Sequence, residues 1–262
     1  MGSFGSISQT SASDLDIWIC HQDDLSEQEQ QRLAEKTKKI SQWASTYHVE
    51  MHFYLMTQQR FRNERYSDPL TKENSGSAQY MLLLEEFYRS AVRLAGKPLL
   101  WLHLWVEDEK QYEAEVARLV AEGELNPNDW VDFGGLGQFS ASEYFGASLW
   151  QLYKGIDSPY KSVMKILLLE TYAQEYPNTH LIARQFKEDL LSGRSTAAHH
   201  FDPYIAILER ISQYLTAHSE FKRLDFVRSC FYVKATEDFA LYHASNWRIS
   251  YMKMMAQEWG WS

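Results

Sequence analysis

Residues 14–20 read DLDIWIC, and the fold turns on how this heptad is taken. As a strand, its alternation sets Asp14, Asp16 and Trp18 on one face and Leu15, Ile17 and Ile19 on the other. The second face is apolar and suits burial against helices. The segment that follows, DLSEQEQQRLAEKTKKISQWASTY (24–47), carries a helix-start signature. Ser26 is an N-cap, Glu29 completes a capping box, and Leu33, Ile40 and Trp43 recur at helical spacing. VEMHFYLM (49–56) alternates again and is rich in aromatic residues, which predicts a second strand. Strand, helix and strand in succession predict a sheet covered by helices.

Further along, QQRFRNERYSDPLTKENSGSAQ (58–79) is polar and broken by Pro69 and Gly76, so it is expected to be a mobile loop. YMLLLEEFYRSAVRLAG (80–96) predicts an amphipathic helix closed by Gly96, and KPLLWLHLWV (97–106) a third strand. From Gln111 onward the pattern is helical, interrupted by NPND, FGGLG, DSP, YPN, LSGRST and FDP. Only CFYVK near 230 is ambiguous. A boundary is expected near 108–112, giving an α+β chain with a mixed domain over 1–110 and an all-helical one over 111–262.

Composition limits the function. In 262 residues, 45% hydrophobic and 15% aromatic content supports a sizeable core and excludes a disordered chain. Twenty-six basic residues stand against 35 acidic ones, a net charge of −9, and no Lys/Arg block stands out. That disfavours a surface tracking long nucleic acid, but it is compatible with a nucleotide-sized ligand whose phosphates a metal ion neutralises. Cys20 and Cys230 lack CxxC spacing, which suggests a reducing compartment. The polar N-terminus predicts no signal peptide, and apolar runs such as ILLLE (166–170) are too short to span a bilayer. A soluble, cytoplasmic protein without membrane insertion is expected.

Residues i and i+2 of a strand stand roughly 6.5–7 Å apart. Carboxylates at that spacing, here Asp14 and Asp16, can bracket divalent ions about 3.5–4 Å apart, and such hard cations take oxygen ligands. A D-x-D pair alone is more often a solubilising edge feature than a metal site. The upstream context favours the site: Gly2-Ser3 lies ten residues before the pair, and the intervening Gly/Ser-rich segment offers N–H groups and hydroxyls to phosphate oxygens.

Gly-Ser, a ten-residue spacer and a strand-borne D-h-D resemble the nucleotidyltransferase superfamily of the DNA polymerase β type. Longer strings narrow this: LLLEEFYRSAVRLAGK (82–97), EYFGASLWQLYKGIDSPYKSVMKILLLETY (143–172), DPYIAILERISQYL (202–215) and RLDFVRSCFYVK (223–234). With the opening motif they are similar, end to end, to the catalytic half of class I, enterobacterial-type adenylate cyclases. The resemblance implies a polymerase β-like nucleotidyltransferase sheet with covering helices, followed by an all-helical domain that completes the nucleotide site.

The implied reaction converts ATP to 3′,5′-cyclic AMP and pyrophosphate, the ribose 3′-OH attacking the α-phosphorus with the help of Mg²⁺ or Mn²⁺, in all two ions. Asp14 and Asp16 match the metal-binding pair, and Gly2 with Ser3 the phosphate turn. Ser13 matches a second loop serine, although a local backbone cap explains it equally well. Trp18 falls on the ligand face, where a tryptophan either stacks or packs. Relatives use a third carboxylate on a neighbouring strand; Glu50 is the candidate, with His52 on the same side, while an exposed edge glutamate is the plainer reading. Lys154, Lys161, Lys165 and Tyr160 resemble the residues that grip the triphosphate, and Ser158 with Pro159 reads as a helix start. His199 and His200 lack helical zinc-site spacing and are read as loop residues. Arg60, Arg62 and Arg65 are either a basic rim over the phosphates or plain surface.

Met1 stands directly before Gly2, so a strand leading into the motif is expected to be missing. The family's C-terminal regulatory portion is expected to be absent as well. Two alternatives follow: a nucleotidyltransferase that uses a separate acceptor, and a catalytically inactive nucleotide-binding fragment.

Overall fold

The computed structural model describes residues 3–11, 13–64, 80–137, 139, 141–194, 199–237 and 246–261. Gly2, Arg65 and the stretch 65–79 lie outside them. The chain divides into two compact units. One comprises Asp14–Ala147 with His180–Ser195, and the other Ser3–Ser13, Ser148–Thr179 and Thr196–Ser262.

In the first unit, β1 (Leu15–His21) pairs in parallel with β2 (Met51–Thr57), in a register running from Leu15 opposite Met51 to His21 opposite Thr57. Between them runs α1 (Glu27–Ser45), which begins with the expected capping box. The Ser26 hydroxyl accepts the Glu29 N–H while the Glu29 carboxylate accepts the Ser26 N–H. Ser41 ties the helix to β2 by donating to the Met51 carbonyl at 2.9 Å. Thr37 and Ala44 are the buried residues of α1, whereas Trp43 is exposed with its ring against Tyr47. Helical spacing therefore located the helix but not all of its packed face.

The polar segment after β2 opens as a helix, α2 (Gln58–Glu64), and not as a loop. The Thr57 hydroxyl accepts the Arg60 N–H at 3.1 Å, and Phe61 is buried among aromatic rings. The next helix, α3 (Tyr80–Ser90), stops short of Gly96. Val92 and Leu94, which would continue it, are exposed and have no core to enter.

The expected third strand is corrected too. Leu99 forms a single parallel bridge to Val131, after which Leu100–Leu102 turn as a 3₁₀-helix. The turn carries Trp101 into complete burial, stacked on Tyr88 at 4.2 Å with its indole N–H donating to Glu109 at 2.9 Å. This buried partner outweighs continuation of an edge pairing. Then follow α4 (Tyr112–Ala121), α5 (Ala141–Lys154), α6 (Pro159–Gln174) and α7 (Ile182–Ser192). In the first unit α7 packs on α3, where Glu85 pairs with Arg89 and accepts the Ala183 N–H. Lys187 of α7 is wholly buried, its Nζ 3.4 Å from Glu109 and 4.3 Å from the Trp101 ring centre.

The second unit is helical. Helix α6 packs with α8 (Pro203–Ala217) and α9 (Phe221–Thr236), and α10 (Asn246–Glu258) lies against α9. Met164, Leu168, Ile211, Leu215, Val227 and Phe231 fill its core. The ambiguous CFYVK is part of α9, because Cys230 and Phe231 face inward at helical and not alternating spacing. Among the described residues no helix is long and apolar enough to cross a membrane.

Candidate active site

In the first unit the strand register sets the candidate carboxylate face. The Leu15 N–H donates to the Glu50 carbonyl at 2.8 Å, which starts the ladder and sets Asp16 opposite His52. In a parallel pair, opposed residues point to the same face. Asp16, His52 and Tyr54 therefore share a surface, and the Tyr54 hydroxyl lies 3.4 Å from Asp16 Oδ1. Glu50 Oε1 is 2.9 Å from His52 Nε2, so the carboxylate proposed from its strand position is paired with the imidazole beside Asp16.

Burial pushes the Asp16 carboxyl above the usual range, and the neighbouring Asp14 pushes it further; His52 and the Tyr54 hydrogen bond act the other way. The Tyr54 phenol is raised in turn, first by burial and then by the charge of Asp16. Asp16 with Asp14 beside it offers oxygen donors suited to a hard divalent cation, whose charge would offset the repulsion felt at Asp16. No cluster of three or more His, Cys, Asp or Glu side chains with metal-binding geometry occurs among the described residues. Phosphate oxygens and water are further ligands that such a cation commonly takes.

Trp18, next along this face, lies in an aromatic cluster. Its ring stacks on Phe87 at 4.6 Å and meets Phe61 at 5.6 Å and Phe133 at 6.2 Å. The indole thus forms the apolar floor where the polar face ends. Beside the cluster, Asp132 accepts from Tyr112 at 3.0 Å and from the Gly134 N–H at 2.9 Å, and it pairs with Arg62 at 2.7 Å. Arg62 also binds Glu113. This guanidinium is committed to protein carboxylates, and the carboxylate of Asp132 is saturated by its own donors. A Cβ on Gly135 would stand 2.7 Å from that of Tyr112, so the segment needs glycine for this close approach.

The second unit holds the loop. Ser3 and Ser13, paired by motif, have their hydroxyl oxygens 2.9 Å apart and close the ten-residue span. Ser13 also accepts the Thr10 N–H at 2.9 Å, so the local capping role considered for it is present. Within the span Ser6 donates to the Ser3 carbonyl at 2.7 Å, and Gly5, at φ +79°, turns the backbone so that its N–H reaches the Gln9 side chain. Ser3, Ser6, Ile7 and Ser8 are buried.

Lys161 and Lys165 lie on the first turns of α6, and Lys154 ends α5. Lys154 Nζ lies 5.2 Å from the Trp150 ring centre and Lys161 Nζ 5.8 Å from that of Tyr204. Tyr160 is exposed. Ser158 occupies the N-cap position of α6 without a side-chain cap bond, and Pro159 is the first helical residue. His199 and His200 sit in the turn before α8.

Sequence reading missed the residues that hold the loop. Asp202 Oδ2 accepts the Ile7 N–H at 2.6 Å while Oδ1 accepts those of Tyr204 and Ile205. Arg248 donates to the carbonyls of Ile7 and Gln9. The Asp-Pro at 202–203 signals a helix N-cap, but no local pattern gives its partner 195 positions away.

Residues 1–102 match the family model described as the adenylate cyclase NT domain, and residues 139–262 that described as adenylate cyclase, class-I, second domain. The chain belongs to the class-I adenylate cyclase family. It is 76% identical over 262 residues to a protein of Haemophilus influenzae named adenylate cyclase, covering all of this chain and 31% of that one. A Pasteurella multocida adenylate cyclase is 63% identical over 265 residues, covering 32% of its length, and that of Escherichia coli K12 is 49% identical over 262 residues, covering 31%. The chain thus spans about a third of the curated relatives it matches. No solved structure gives a significant match.

Proposed function

We propose that the chain is the catalytic portion of an adenylate cyclase, closing ATP to 3′,5′-cyclic AMP with release of pyrophosphate. The observation that carries this reading is Asp16 on β1, its carboxyl raised by burial and by the neighbouring Asp14, facing His52 of the paired strand, which Glu50 pairs with at 2.9 Å. In the reaction the bond from the ribose 3′-oxygen to the α-phosphorus forms and the bond from that phosphorus to the bridging oxygen of pyrophosphate breaks. Asp14 and Asp16 would hold Mg²⁺ or Mn²⁺, which in a two-ion arrangement lowers the pKa of the attacking hydroxyl and neutralises the leaving group. Glu50 accepts the 3′-OH proton, and His52 orients its carboxylate. Tyr54 orients Asp16. Gly2, Ser3 and Ser13 contribute the phosphate turn, and Lys154, Tyr160, Lys161 and Lys165 the cationic and hydroxyl contacts to the triphosphate. Trp18 supports the floor of the site, and a mixed domain over 1–110 with a helical one over 111–262 remains our division of labour. The reading places the enzyme in the cytoplasm.

The test is direct. Purified chain is incubated with ATP and either metal, and the products are separated by chromatography. Cyclic AMP and pyrophosphate in equal amounts are expected. AMP transferred to an added acceptor, or tight ATP binding without turnover, would overturn the proposal.

A further inference from the structure

The span that carries Ser3 and Ser13 is short of apolar anchors, yet Ser3, Ser6, Ile7 and Ser8 are buried. Its backbone polar groups must therefore find partners inside the protein. Turn bonds within the span supply some of them. At Ile7, which is wholly inaccessible, the partners come from far along the chain. Its N–H is taken by Asp202 at 2.6 Å and its carbonyl by Arg248, which also reaches the Gln9 carbonyl at 2.9 Å.

Both groups are charged, so these bonds are of the stronger kind. Asp202 is buried and its carboxyl is raised by burial, with its three backbone bonds and Arg248 opposing the shift. One oxygen caps α8 and the other holds the loop. From Ile7 the connection continues within the loop: the adjoining Ser6 donates to the Ser3 carbonyl, and the Ser3 hydroxyl meets that of Ser13.

We infer that Asp202 and Arg248 are positioning residues that clamp the Ile7 peptide and thereby hold the Ser3–Ser13 closure in a phosphate-receiving shape. Neither contacts substrate in this scheme; they act through the loop. The inference rests on the nucleotide-cyclising reading for its effect on kinetics, but the clamp itself is testable without turnover. Serine is a good N-cap with a single oxygen, so Asp202→Ser keeps the α8 cap and drops the Ile7 bond. Arg248→Met removes the second jaw while keeping side-chain length.

Hydrogen exchange of the full chain is followed in the peptide covering residues 3–13, with the peptide covering α8 as an internal control. At least tenfold faster exchange in residues 3–13 is expected for each variant, with α8 protection retained. KM for ATP should rise about tenfold with kcat changed less than threefold, as expected when binding alone is lost. Combining Asp202→Ser with Ser3→Ala should raise KM less than the product of the single effects. Wild-type exchange rates in residues 3–13 of both variants would overturn the clamp. If α8 also loses protection in Asp202→Ser, Arg248→Met decides alone. Absence of cyclic AMP from the wild type would instead overturn the functional proposal and leave the exchange result standing.

Discussion

At Asp16 burial and a like charge act together on one carboxyl group, and both favour its protonated form. Its pKa in the folded chain therefore lies above that in the unfolded chain. The stability associated with protonation is fully present below the unfolded value and is lost as pH rises through the raised folded value. At neutral pH the ionised group destabilises the metal-free protein. Asp16→Asn keeps the shape and the contact to Tyr54 while removing the charge. We expect this variant to melt no lower than wild type at neutral pH without metal, with the difference shrinking in acid, and to make no cyclic AMP. Calorimetry across pH beside the product assay checks both. Removing the carboxylate that we propose as proton acceptor should act differently. Glu50→Gln is expected to lower kcat about 10²–10⁴-fold with KM little changed, measured by initial rates over a range of ATP concentrations. Cys20, whose thiol burial pushes up to about 11, should react with thiol reagents many times more slowly than a free cysteine at neutral pH.

At the scale of elements, β1, α1 and β2 were legible because their signals are local and agree. Alternation fixes the strand faces, and Ser26 with Glu29 writes the helix start into four consecutive residues. The segment 97–106 was not legible in the same way, because the choice between strand and turn depends on Glu109 receiving the Trp101 indole. The helix at 58–64 was hidden by its polar composition; its cap is Thr57, the last residue of the preceding strand. The face shared by Asp14, Asp16 and Trp18 was readable from the period of a strand, whereas Ser3 and Ser13 were singled out by the family resemblance. The pairing of Arg62 was not readable, since its partners Glu113 and Asp132 are 51 and 70 residues away. The aromatic floor invites a packing test. Phe133 is buried and touches Trp18, Phe61 and Phe87. Phe133→Ala should cost about 3–5 kcal/mol of stability, the usual range for emptying such a position, as read from denaturant unfolding.

For the whole molecule, binding that requires the folded state must appear as stabilisation. A non-reactive ATP analogue with Mg²⁺ at a hundred times its Kd should add about 2.7 kcal/mol. For a chain of this size that is a rise in Tm of roughly 5–10 °C, reversed by chelating the metal and absent in Asp16→Asn. A Tm indifferent to analogue and metal would argue against nucleotide binding altogether. The bond from Arg248 to Ile7 spans 241 positions and that from Asp202 spans 195. Chains emerge from the ribosome N-terminus first, at about 5–20 residues per second. The Ile7 peptide therefore waits roughly 10–50 s for its second jaw, while the strands and carboxylates that follow it can already pair. Over that interval a nascent chain would carry β1 and β2 already made while the Ile7 peptide still lacks one of its two charged partners.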